Sequence, residues 1–109
     1  MSSCVFNFHV PPYDSGLDIC PKLDKDLNPI MVGGKNVMVP VGSTAVKSAI
    51  DKYQPLLGLH GHIHEAKGFT HIGRTLCLNP GAEYQEGILR GAIVELDKEK
   101  VKNFILVSG

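Results

Sequence analysis

The spacing of apolar positions changes character several times along the chain. Cys4-Val5-Phe6-Asn7-Phe8-His9-Val10 is rich in β-branched and aromatic residues and predicts a strand. Pro11-Pro12 stops it. From Tyr13 to Asn36 the pattern dissolves into turn signals, among them Asp14-Ser15-Gly16, Asn28-Pro29 and Gly33-Gly34. They predict a long loop with scattered apolar anchors. The apolar run Asn36 to Val41 predicts a short edge segment, because Pro40 has no N–H to give a central strand.

Ala45, Val46, Ala49, Ile50 and Tyr53 then recur at helical spacing, with Lys47, Asp51 and Lys52 on the other face. Ser43 is a good N-cap, and Pro55 forces the helix to end. Leu56 to His60 is a short, nearly continuous apolar run, which suits a strand covered on both faces. Strand, helix and strand together predict a parallel, right-handed crossover. Further on, Phe69 to Ile72 and Thr75 to Leu78 predict short strands around Gly73-Arg74, and Asn79-Pro80-Gly81 a turn. Ile88 to Leu96 and Val101 to Val107 predict a hairpin about the charged loop Asp97 to Lys100.

Composition narrows the function classes. A length of 109 residues fits one domain, and 43% hydrophobic against 20% charged residues is an ordinary globular balance. Eleven basic residues cancel eleven acidic ones, and no aromatic stacking platform appears, so no nucleic-acid surface is indicated. No run approaches the ~20 apolar residues of a membrane span. The opening MSSCVFNFHV has neither a basic leader nor a long apolar core, so a signal peptide is not expected. Cys4, Cys20 and Cys77 are odd in number and form no CxxC, which argues against a disulfide framework and for a cytoplasmic location. Cys4 and Cys77 read as small buried apolar residues.

Candidate chemistry concentrates at His60-Gly61-His62-Ile63-His64. The crossover puts this cluster, and His9, just beyond the carboxyl ends of two neighbouring strands, where parallel α/β sheets bind ligands. His71, inside a strand, reads as structural. His60, closing an apolar run, reads as a buried residue whose ring N–H orients a neighbour. His62 and His64 can turn toward one point from an extended segment, with Gly61 relieving the crowding. For this pair metal contact outweighs a structural role, and neutral imidazoles suit Zn, Fe, Ni or Cu, and Mn beside carboxylates. Protonation competes with such a metal, so binding is expected to weaken as pH falls toward ~6.5.

The ordered set of motifs resembles a known family. Gly61-His62-Ile63-His64 is similar to the GHxH motif of calcineurin-like metallophosphoesterases. Phe8-His9-Val10-Pro11-Pro12 resembles their strand-end histidine followed by prolines, and Asn79-Pro80-Gly81-Ala82 their NPGS turn, with alanine at the last position. From His9 to Leu96 the order and spacing are similar to the Icc-related phosphoesterase branch, Glu83 to Gly87 included. The resemblance implies that His9 and His62 bind one metal of a two-metal centre and His64 the other, for phosphoester or phosphodiester hydrolysis.

The family's upstream motifs, Asp-x-His, Gly-Asp-x-x-Asp and Gly-Asn-His, do not occur in these 109 residues. They supply the bridging carboxylate and the acid for the leaving group. The expected fold is therefore α/β, mostly β with one main helix: residues 1–109 as a single partial domain, the C-terminal half of a two-sheet sandwich with a flanking helix. Exposed edges and apolar surface imply completion by self-association, as a homodimer, or by an N-terminal half supplied in trans. Three neutral imidazoles do not offset two dications. Weak binding of a divalent metal (Mn, Zn or Fe) and little hydrolysis by the isolated chain are expected. The competing expectation is an inactive binding or scaffold module. Arg74 and Arg90 are the two arginines; either is a candidate phosphate contact, with a surface or structural role favoured.

Overall fold

The structure, a computed structural model, describes residues 4–63, 66–82 and 87–109. In chain order the elements are β1 (Val5–Asn7), β2 (Ile19–Pro21), β3 (Met31–Val32), β4 (Lys35–Asn36), β5 (Met38–Pro40) and α1 (Thr44–Tyr53). They continue with β6 (Leu57–Leu59), β7 (Gly68–Ile72), β8 (Thr75–Asn79), β9 (Arg90–Leu96) and β10 (Val101–Ser108). Among the described residues the chain is mostly β with one short helix. Among the described residues no helix is long and apolar enough to cross a membrane.

The central sheet has the order β1-β6-β8-β7. β1, β6 and β8 are parallel, with Val5 opposite Leu57 and Leu57 opposite Leu76, while β7 returns antiparallel to β8. The expected parallel pairing of β1 and β6 around α1 is thus present. Side chains alternate across β8 as a strand requires. Leu76 and Leu78, with Leu57, pack against Ala92, Val94, Val101, Phe104 and Leu106 of the β9–β10 hairpin. Cys77 turns to the other face and packs with Leu17 and Ile50, flanked by Phe6, Val46 and Ile72. The result is three layers: helix, four-stranded sheet, two-stranded sheet. Each fully buried leucine contributes about 1.5–3 kcal/mol.

The ends of α1 follow the local sequence. Ser43 caps it, its Oγ accepting from Val46 N at 3.1 Å. Gln54 closes it in the left-handed region, its N–H donating to Ile50 O at 2.9 Å, and Pro55 prevents a further turn.

Several expectations need correction. The first strand is shorter than Cys4 to Val10, because Phe8 and His9 direct their carbonyls to His60 and Gly61 instead of a ladder. Cys4 is exposed, lying ahead of that strand, whereas Cys77 is buried as expected; no disulfide joins the three cysteines. The stretch from Tyr13 to Asn36 is not structureless. β2 pairs with β5 and β3 with β4, the latter across Gly33-Gly34, both of positive φ as a tight hairpin turn demands. Pro40 ends a strand that has a single partner, where a missing N–H is tolerated.

The molecule exposes 6915 Å². A folded monomer of 11.8 kDa typically exposes about 5,900 Å². Its radius of gyration, 15.1 Å, likewise exceeds the ~13 Å of a compact domain of this length.

Candidate metal centre

His9 follows β1 and His62 follows β6, at the same end of the sheet. Both side chains are exposed. Their ring centres lie 5.1 Å apart with planes at 76°. Two imidazoles sharing one tetrahedral metal, at about 2.1 Å from each nitrogen, have ring centres roughly 5 Å apart. The ring separation matches that of two imidazoles on one divalent ion. A cavity of about 160 Å³ opens beside it, lined by His9, Gly61, His62, Ile63, Asn79, Gly81 and Ala82. His64, the remaining predicted ligand, lies outside the described residues. Among the described residues no group of three His, Cys, Asp or Glu converges as a metal site. A metal at this pair would need ligands beyond the two imidazoles.

His62 is held by an unusual turn. Ile63 N donates to Gly61 O at 2.6 Å, closing three residues, and His62 at its centre has φ 64°. This is the rarer, strained hand of γ-turn. The sequence points to Gly61 as the special residue, but Gly61 does not carry the positive φ. A Cβ at Gly61 would lie 3.5 Å from His9 Nδ1, an ordinary contact. Its glycine keeps that nitrogen open rather than avoiding a clash. A non-glycine residue with positive φ beside a candidate ligand is the kind of strain that clusters at functional sites.

His60 is buried, as expected. Its Nδ1 lies 2.9 Å from Phe8 O, and only an N–H can bond a carbonyl, so Nδ1 carries the proton. This bond fixes the residue next to His9. The other nitrogen, Nε2, is buried without a hydrogen-bond partner. Burial lowers the pKa of His60, against the opposing effect of the Phe8 and Val10 backbone bonds. The ring folds back over Gly58, where a Cβ would come within 2.6 Å of Nε2. That close approach explains a glycine in the middle of β6.

Two further residues shape the site: Asp18, which the sequence did not single out, and Asn79, which it marked only as part of a turn motif. Asp18 is fully buried; its Oδ2 accepts from Asp14 N and Gly42 N, each at 2.8 Å. It ties the segment after Pro11-Pro12 to the start of α1, where Ser43 N donates to Pro11 O at 2.9 Å. Asn79, 1% exposed, donates through Nδ2 to Ile63 O at 3.0 Å and Leu17 O at 3.2 Å. The Asn-Pro-Gly signal marks a turn, and Gly81 N does donate to Asn79 Oδ1 at 2.9 Å. The signal gives no hint of the amide's distant partners. Arg74 sits at the opposite end of the sheet, before β8, in a cleft of about 270 Å³ with His71, Lys100 and Lys102. It is not placed to touch a ligand of the His9–His62 pair.

No family model, curated protein or solved structure matches this chain.

Proposed function

We propose that this chain carries the histidine wall of a divalent-metal site for phosphoester hydrolysis, the C-terminal half of a metallophosphoesterase-like sandwich acting in the cytoplasm. The observation that carries the reading is the ring pair His9–His62, 5.1 Å apart beyond the ends of two parallel strands. The order of motifs from His9 through Gly61-His62-Ile63-His64 to Asn79-Pro80-Gly81 supports it. A metal held there by His9 and His62, with His64 reaching a second ion, would polarise a phosphoryl oxygen and acidify a bound water. Neutral imidazoles leave the cation's charge uncompensated, and among the described residues no carboxylate joins the pair as a metal group, so on this reading a partner half supplies the carboxylates. The chain alone then binds Mn, Zn or Fe weakly and does not turn over substrate.

The test has two arms. Titration of the chain with Zn²⁺ or Mn²⁺ should yield weak binding that His9→Ala and His62→Gly abolish. His62→Gly should leave urea stability unchanged or slightly raised, because about 1–2 kcal/mol of left-handed strain is relieved against glycine's entropic cost. Addition of a fragment bearing the Asp-x-His, Gly-Asp-x-x-Asp and Gly-Asn-His motifs should then bring Mn-dependent hydrolysis of a phosphodiester. Unaltered metal binding in both variants, with no hydrolysis beyond that of either part alone, would remove the reading.

A second reading is favoured by the surface. About 1,000 Å² more is exposed than for a typical monomer of this mass, close to one partner's share of a standard interface. It makes the chain a catalytically inactive binding or scaffold module that self-associates. Retention of assembly when His9, His62 and His64 are all replaced by alanine favours this reading over a metal-dependent one.

A further inference from the structure

Asn79 closes β8, the parallel neighbour of β6, and its carboxamide points into the turn that carries His62. Nδ2 lies 3.0 Å from Ile63 O and 3.5 Å from Gly61 O, the two carbonyls that flank His62. It also reaches Leu17 O at 3.2 Å. The other end of the amide, Oδ1, accepts from Gly81 N. One buried side chain thus joins three backbone segments: the one containing Leu17, the His62 turn, and its own Pro80-Gly81 turn.

The energetics make this more than a fastening. A γ-turn with positive φ at histidine is intrinsically disfavoured, and an unsupported loop relaxes out of it. A buried amide with its donors on Ile63 O and Leu17 O opposes that relaxation, because leaving the turn strands polar groups away from water. We infer that Asn79 is the positioning residue of the His9–His62 pair: it holds His62 in its strained turn so that its ring faces His9, without itself touching the ligand. The clamp also links the His62 turn to the segment anchored by Asp18 and to Gly81, which lines the same cavity as His62.

The inference rests on the metal reading only for affinity, so its test begins without metal. In the metal-free chain, Asn79→Ala should speed amide exchange at Ile63, the N–H that closes the turn. The expected change is roughly fivefold or more, that of one lost hydrogen bond. Amides of Leu57 and Leu78 should keep their protection. Unchanged Ile63 exchange in a folded variant overturns the proposal. If Asn79→Ala does not fold, Asn79→Ser, which keeps one donor and an oxygen for Gly81, serves with a smaller expected change and the same criterion. With Zn²⁺, loss of an outer partner should weaken binding about tenfold or more. In the metal-free chain, the loss of Ile63 protection should shrink when Asn79→Ala is made on a His62→Gly background, where glycine holds the positive φ without support. An equal loss on both backgrounds would make Asn79 a general structural residue and sink the positioning role. A wild-type chain that binds no Zn²⁺ would fault the metal reading alone, and the exchange result would still decide this one.

Discussion

At the scale of single residues, burial and function divide the histidines. His62 and His9 face solvent and each other, while His60 is packed away with one ring nitrogen bonded and the other bare. Protonating Nε2 of His60 would place a charge and an unmatched donor in a buried site, so the folded chain favours the neutral ring. The sign follows. With the folded pKa below the unfolded value of 6.5, the unfolded state binds the extra proton first. Stability is then full above about pH 6.5 and falls as pH drops from there toward the folded pKa. Urea melts across this range, with a chelator present, should show that decline. In His60→Asn, whose amide can still donate to Phe8 O, the decline should be markedly shallower. An identical pH slope in both proteins would mean that His60 is not its source. The sequence made His60 legible as buried because it closes an apolar run. It could not reveal the strain at His62: the neighbouring Gly61 is the residue type that normally adopts positive φ, yet His62 does. Nor could it expose Asn79, one of whose partners, Leu17, lies 62 positions away.

At the scale of elements, the readable ones were those with a repeating period. α1, β6, β7, β8, β9 and β10 all fall where apolar spacing puts them, because each buries one or both faces against the core. β2, β3 and β4 escaped notice, whereas β5 falls within the edge segment read at Asn36 to Val41. Strands of two or three residues have no room for alternation, and their exposed residues include Met31, Val32 and Met38. Their pairing is set by the Gly33-Gly34 turn and by backbone bonds such as Lys22 N to Val37 O, 2.7 Å, not by burial. The helix offers a direct check of a local signal. Ser43 supplies the side-chain acceptor for the first turn, and Ser43→Ala should lower stability by about 1 kcal/mol in a urea melt. Its backbone bonds to Pro11 and Tyr13 remain in the variant, so the metal affinity of the His9–His62 pair should hold. A loss well below a few tenths of a kcal/mol would mean that α1 is held by Ile50 and Val46 packing alone.

At the scale of the whole molecule, the question is what the extra surface meets. β1 is a sheet edge, with β6 on one side only. The outer face of the β9–β10 hairpin presents the cross-strand pair Ile93–Ile105, 62% and 58% exposed. Both features recruit other chains when left uncovered. Sedimentation velocity at micromolar concentration should find a dimer or larger species, and replacing Ile93 and Ile105 by lysine should shift it toward 11.8 kDa. A single 11.8 kDa species for the unaltered chain would end the case for self-association. The 6915 Å² of exposed surface has a thermodynamic corollary. Where part of that area is covered only between copies, unfolding obeys mass action. The melting temperature then climbs with the amount of chain in the tube, and dilution alone becomes a denaturant.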